Sequence, residues 1–458
     1  MLQEDDQESL TSILQILQQK LVRSHPKIVT KALWEEAMED SSSTNVRKVS
    51  SSSDDSWQLI EAFDTPKLVY DSLRQQFHYE SNPSKHLLGT ARDKIQMMTQ
   101  RYLKIQQRVA RQLDLTCIDR LLGTSVHSSQ LLLGMLHRMP NGSLELEDLT
   151  GSIPLQMDPE SSIIDSKGEY NQGCFVIIQG SYDQGIFQVQ RMGLPPLERK
   201  SQSEPLLPPR ERLSTPQHPL TIYSMSNLAL DDPGCLEELE QLVELLSDET
   251  DESVLVLMGN FTTDSLSFAA AMDELSRILE EVPSKHSVLV VPGPNDSPSA
   301  VWPLPKLKSS ALSQLNHVQL VSNPCRIHFG SHQVVIARTD GLRQRRPILS
   351  VPSETTFTSR VVHTMLSQGH LLPHATPTYW NYDHAMGLYP LPDLLLLGGL
   401  GEESFDYSKA QCHVVAAGAG WVKMTLGKRR TSSPLRVEYS QDLDDDNSVN
   451  DMEERGED

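Results

Sequence analysis

Between residues 220 and 426 the chain repeats a pattern that few folds accommodate. A short apolar run stops at a small or kinked residue, and an amphipathic stretch follows. Residues 220–223, 254–258, 287–291, 318–321, 333–337, 394–397 and 422–426 are such runs, and Gly259-Asn260, Pro292-Gly293-Pro294 and Gly398-Gly399 close three of them. Runs that are apolar throughout, without alternation, belong to strands covered on both faces. Residues 236–246, 267–281 and 360–368 are read as helices. Strand, tight turn and helix in repetition predict an α/β domain over 220–440.

The preceding chain is organised differently. Leu10, Ile13, Leu14, Leu17 and Leu21 recur at helical spacing, so residues 1–40 are expected to form a short helical region. Serine runs make 41–56 a linker. Residues 57–115 are read as a helical connecting region, with helices at 68–77 and 92–112. Ile95, Met98, Tyr102, Ile105 and Val109 line one face of the second, and Arg101, Lys104, Arg108 and Arg111 form a basic stripe that reads as a solvated face. Between 116 and 195 short strands punctuated by Gly predict a small barrel of the OB type. Prolines 195, 196, 205, 208, 209, 216 and 219 mark 196–219 as an extended linker. Residues 441–458 carry nine acids and one Arg and are expected to be a disordered tail.

Composition excludes several functions. With 40 Lys+Arg against 61 Asp+Glu the net charge is −21, which is wrong for a chain that wraps duplex DNA by itself. The five cysteines form no CxxC pair, so neither a disulfide framework nor a Cys-ligated zinc site is expected. No apolar run approaches the roughly 20 residues of a membrane span. The acidic N-terminus is unlike a secretory signal, and a cytosolic or nuclear chain is expected.

In α/β sheets, ligands gather beyond the carboxyl ends of strands. Those ends read Ser226-Asn227-Leu228-Ala229, Gly259-Asn260-Phe261, Gly293-Pro294-Asn295-Asp296, Gly369-His370 and Gly398-Gly399-Leu400-Gly401. Their order and spacing resemble the calcineurin-like metallophosphoesterases. That resemblance implies a β-sandwich flanked by helices. It also implies two metals held by Asp-x-His, Gly-Asp, Gly-Asn-His-Asp/Glu and Gly-His-x-His. At the matching positions this chain has Asn227 and Ala229, then Asn260, then Pro294 and Asn295, and finally Gly399 and Gly401. Asp296 and His370 alone remain as ligand types. Neutral side chains cannot balance two divalent ions, so no metal, cofactor or catalytic residue is expected.

A ligand-depleted domain of this kind behind an OB barrel resembles the B-subunit family of eukaryotic replicative DNA polymerases. More specific words resemble its polymerase epsilon branch: Tyr70-Asp71-Ser72-Leu73-Arg74, Ser322-Asn323-Pro324-Cys325-Arg326-Ile327, Leu366-Ser367-Gln368-Gly369-His370-Leu371, and the stretch 377–395. The resemblance covers residues 66–437 and is weaker before 66, where the family has a larger helical domain. It implies a non-catalytic nuclear scaffold for DNA replication. Its partners would be the C-terminal zinc-binding domain of the epsilon catalytic subunit, other epsilon subunits and the replicative helicase. Direct DNA contact would be weak or absent. Tyr379, Trp380, Tyr382, Tyr389 and Arg326 are candidate interface anchors. The alternative filling is the core between sheet and loop, with Trp380 the more buried.

Two other readings stay open on the residues alone. One is a phosphoesterase or nuclease with a rearranged metal site drawing on Asp264, His374 or Asp383. The other is a single-strand DNA binder using the barrel with Arg101, Lys104 and Arg108. Lys428-Arg429-Arg430 is a weak nuclear-import word and reads equally as a solvated turn.

Overall fold

The computed structural model describes residues 57–122, 129–158, 162–209, 216, 218–264, 267–297, 299–340, 347–349, 351–373, 377–401, 404–428 and 435–440. The expectations for 1–40, 41–56 and 441–458 lie outside them. The described residues form one compact unit.

The described chain opens with strand β1 (Trp57–Glu61), followed by a hairpin of β2 (Leu68–Asp71) and β3 (Gln76–Tyr79) and by helix α1 (Ala91–Ala110). The expected helix over 68–77 is therefore corrected to a hairpin. Its turn is set by Asp71, whose Oδ1 accepts from the backbone N of Leu73 at 2.9 Å and Arg74 at 3.1 Å, and Gln75 then adopts φ 54°. A side-chain turn of this kind competes with helix. Helix α1 starts at a capping box in which Thr90 Oγ1 accepts from Asp93 N, while Asp93 accepts from Thr90 N. Tyr102, Ile105 and Val109 are buried as expected, whereas Ile95 is exposed.

A short helix α2 (Ile118–Leu122) leads into six strands: β4 (Gln130–Arg138), β5 (Leu144–Glu147), β6 (Ser152–Met157), β7 (Ile163–Ile164), β8 (Phe175–Asp183) and β9 (Ile186–Gly193). Antiparallel pairing runs β6-β5-β4-β8-β9, and parallel pairing of β6 with β9 closes the ring into a barrel. Closure removes the open edges. At Gly180 the β8–β9 register shifts, and a Cβ there would lie 2.0 Å from Gln188 O, so glycine is required.

The expected linker 196–219 is partly built in. Helix α3 (Lys200–Ser203) holds a buried Lys200, whose ammonium meets Asp393 at 2.5 Å, and Glu198 is buried against Arg111. Paired charges dock this segment despite its proline density, because each pair offsets the cost of burying the other.

Beyond this segment the chain builds two six-stranded sheets. It enters the second sheet through β10 (Leu220–Ser226), β11 (Ser253–Met258), β12 (Ser287–Val291) and β13 (Val318–Leu320). It then enters the first sheet through β14 (Cys325–Phe329), β15 (His332–Arg338), β16 (Leu394–Gly398), β17 (Phe405–Lys409) and β18 (Cys412–Ala416). It returns to the second through β19 (Trp421–Leu426) and β20 (Arg436–Tyr439). The orders are β1-β14-β15-β16-β18-β17 for the first and β13-β12-β11-β10-β19-β20 for the second. The start of the region read as helical is thus an edge strand of the first sheet, with Trp57 opposite Phe329 and Glu61 opposite Cys325. Its partner lies far along the chain, which local periodicity cannot reveal.

Alternation along each strand builds four layers. Ile222, Val254, Val256, Leu394 and Leu396 meet between the sheets. Tyr223, Leu255 and Leu257 face helices α4 (Pro233–Asp248) and α5 (Phe268–Leu279). Leu395 and Leu397 face helix α6 (Phe357–Gln368) and the 3-10 segment Trp380–Met386. Both faces are covered, which is why the strands read as continuous apolar runs.

Candidate functional site

The carboxyl ends of β10, β11, β12, β15 and β16 converge, and an arginine fills the place where they meet. Arg338, the last residue of β15, is 3 % exposed. Its Nε donates to Gly259 O and its Nη1 pairs with Asp340. Asn260 Nδ2 donates to Asp340 Oδ2 at 3.2 Å, and Asn295 N donates to Asn260 Oδ1 at 2.9 Å. Gly398 and Gly399 admit the guanidinium: at Gly399, where φ is +84°, a Cβ would lie 2.0 Å from Nη1. Asp296 is engaged with backbone, accepting from Phe261 N at 2.9 Å and Gly293 N at 2.7 Å. Burial pushes its carboxyl up from the ordinary carboxylate range, against those two hydrogen bonds.

The remaining strand-end positions shape loops. Asn227 takes φ 59°, and Ala229 N donates to Asn227 O at 2.9 Å as the chain turns toward α4. Pro294 and exposed Asn295 form the turn before Asp296. Gly401 takes φ 147°. Among the described residues no group of three or more His, Cys, Asp or Glu could hold a metal ion.

His370 does not join Asp296. It lies past the C-terminus of α6, where Nδ1 accepts from Leu372 N at 3.0 Å and Nε2 sits 3.4 Å from Asp383 Oδ1. Burial holds the imidazole below its ordinary pKa, and Arg101 lowers it further. Asp383 is itself taken by Arg101, whose Nε donates at 2.9 Å and whose Nη2 donates to the other oxygen. Against the cost of burial, Arg101 and then His370 hold the Asp383 carboxyl well below the usual range. Of the rearranged metal set, Asp383 is therefore committed to an ion pair, Asp264 is exposed, and His374 lies outside the described residues.

The basic stripe of α1 is corrected from a solvated face to an internal contact. Arg101 reaches Asp383, Arg108 (2 % exposed) donates to Ser367 O, and Arg111 meets Glu198. The barrel aromatics Phe175 and Phe187 are buried, so neither is a stacking platform for bases.

The interface candidates also turn inward. Tyr382, 8 % exposed, packs edge-on to Phe63 at 5.0 Å, and its hydroxyl donates to Lys85 O at 2.8 Å. Tyr389 stacks on Phe77 at 5.2 Å and accepts from Gln107 Nε2 at 3.0 Å. Tyr379 Oη lies 3.1 Å from Ser299 Oγ. Arg326, 6 % exposed, donates to Ala385 O and Gly387 O at 2.8 and 2.6 Å. Trp380 is half-buried under the Lys94 ammonium at 5.7 Å, so Tyr382 is the more buried ring. Trp380, Tyr382 and Tyr389 bind the 380–389 segment to the chain around β1–α1, and Arg326 binds it to β14.

Sequence reasoning missed Arg338. A signal existed: an arginine ends the otherwise apolar run 333–337, and Asp340 stands two residues on.

A family model for the B-subunit of DNA polymerases alpha and epsilon matches residues 222–406, and one described as DNA polymerase epsilon subunit 2-like, OB-fold domain, matches 91–196. The first match spans 185 residues and the second 106, and both descriptions are of DNA polymerase subunits of this kind. The chain's similar relatives lie in one branch. DNA polymerase epsilon subunit 2 of Drosophila melanogaster is 29% identical over 469 residues, spanning 90% of this chain and 86% of that protein. The Bos taurus subunit 2 is 26% identical over 470 residues, 90% of this chain and 87% of its own. The Homo sapiens subunit 2 is 26% identical over 421 residues, 79% of each chain.

Proposed function

We propose that the chain is a non-catalytic accessory (B) subunit of a DNA polymerase epsilon complex, acting in the nucleus in DNA replication. The observation that carries the non-catalytic part is Arg338. A buried guanidinium stands among strand ends where a phosphoesterase of calcineurin-like fold would need carboxylates and imidazoles around metal ions. A fixed cation there repels a divalent ion, and its donors already engage Gly259 O and Asp340. In this reading the four-layer body is a calcineurin-like domain retained as a rigid surface.

The scaffold role rests on the relatives' names and on the joining of barrel, α1 and sandwich in one compact unit. Its partner would be the C-terminal zinc-binding domain of the epsilon catalytic subunit, and through the complex it would connect to the replicative helicase. Co-expression with that C-terminal domain tests the reading. A stoichiometric complex stable through size-exclusion chromatography is expected. Absence of a complex at micromolar protein, or a stoichiometric metal with phosphodiester hydrolysis in the purified chain, would overturn it.

A further inference from the structure

A cavity of about 390 Å³ opens between α1, the chain around β1 and β2, β14 and the segment that follows α6. That is within the roughly 300–1,000 Å³ typical of small-molecule sites. Four cations line it, Arg101, Lys104, Arg108 and Arg326, with Asp383 as the one carboxylate among the described lining residues. The lining is therefore about three charges positive, in a chain whose total is −21. Asp383 is spent on Arg101 through two hydrogen bonds.

Arg108 and Lys104 have no such partner from the lining. Arg108 is 2 % exposed, one Nη donates to Ser367 O, and its Nε has no hydrogen-bond partner among the described residues. Lys104 has no carboxylate partner among the described residues, and burial pushes its ammonium down to about 8, with Lys67 and Arg101 adding to the effect and Asp383 opposing it. His384 keeps a buried Nδ1 without a hydrogen-bond partner among the described residues, its Nε2 being 2.8 Å from Thr65 O. Crowding like charges in a partly desolvated cavity is costly unless a counter-charge is present.

We propose that this cavity is a binding site for a phosphate-bearing small molecule, its phosphate oxygens held by Lys104 and Arg108 in the field of Arg326. Arg101 is held aside by Asp383 and shapes the wall. The site is separate from the strand-end cluster around Arg338, and the inference does not depend on the accessory-subunit reading.

Calorimetric titration of the full chain at fixed ionic strength tests it, with inorganic pyrophosphate in one arm and ATP in the other. Saturable one-to-one binding below millimolar concentration is expected in at least one arm, with a rise in melting temperature. Equal affinity in the two arms would assign the site to the phosphate group alone, and tighter ATP binding to a nucleotide. Lys104→Gln should weaken binding at least about tenfold. Lys104→Arg, which keeps the charge, should stay within about threefold, and the remote exposed Arg436→Gln should leave it unchanged. No saturable binding of either probe by the unsubstituted chain overturns the proposal, and so does binding indifferent to Lys104→Gln. Should Lys104→Gln fail to fold, the unsubstituted titration and Lys104→Arg still decide.

Discussion

Arg338 shows how one side chain can fill the space where strand ends meet. Its aliphatic stem lies along Gly398 and its head against Gly399, positions where any Cβ would collide with it. Removing the head should leave Gly259 O and Asp340 without their charged donor. Arg338→Met is expected to cost about 3 kcal/mol, and Arg338→Lys less, since it keeps the charge. Urea unfolding midpoints measure both, and a loss below about 0.5 kcal/mol for Arg338→Met would show the guanidinium to be incidental. A second residue predicts a pH effect. Burial pulls His384 down from 6.5 to about 4, against its hydrogen bond to Thr65 O. The folded state thus resists a proton that the unfolded chain accepts. His384 should make stability fall as pH drops from about 6.5 toward 4. His384→Gln, measured by denaturation across that window, should show a shallower decline.

At the scale of elements, two helices join the barrel to the sandwich with polar side chains. From α6, Gln368 accepts from Phe175 N at 2.7 Å and donates to Phe175 O at 2.8 Å, satisfying both backbone groups at the start of β8. Arg360 meets buried Glu169, and Thr364 Oγ1 accepts from Glu169 N at 2.8 Å. From α1, Tyr102 packs on Phe175 while Arg108 reaches Ser367. Gln368→Ala should leave two buried backbone groups open and cost about 2 kcal/mol. The expected sign is earlier proteolytic cleavage between barrel and sandwich, and an unchanged cleavage rate would count against this contact. The elements differ in how far they could be read. β11, β12 and β16 were legible because strands buried on both faces leave unbroken apolar runs. Helix α1 was legible from its period, but its basic stripe was not, because Asp383, Glu198 and Ser367 lie 87 to 282 residues away. The 68–79 hairpin was missed because Asp71 fixes a turn inside a segment whose apolar spacing also fits a helix. The edge strands β17 and β20 carry polar residues on their open side and leave little pattern. At the strand ends, the loops could be located from order and spacing, whereas the guanidinium that occupies the space between them could not.

For the whole molecule, charge separates inside from outside. The most basic helix turns Arg101 and Arg108 inward, while Arg92 and Arg111 stay at the surface of a chain whose total charge is −21. Saturable binding of single-stranded DNA at low salt is therefore not expected, and fluorescence anisotropy with a labelled oligonucleotide checks this. Charge reversal of Arg101 or Arg108 should lower the melting temperature by several degrees, since each would oppose a buried partner. Strong salt-dependent DNA binding abolished by those reversals in a folded protein would contradict the assignment of the stripe to the interior.

Strand β1 has a consequence for anyone dividing the gene. It precedes the barrel in the chain, yet it completes a sheet whose other strands all follow the barrel. The barrel is thus nested inside the sandwich's own stretch of chain, as an insert between its first strand and the rest. A fragment beginning at the proline-rich segment, the natural place to cut by composition, would lose that strand. It would bare the backbone of Cys325–Phe329 and leave Ser322, whose Oγ accepts from Ala62 N at 2.7 Å, without that donor. Such a fragment should stick to its own copies through the open edge, whereas one starting at residue 57 should remain dispersed.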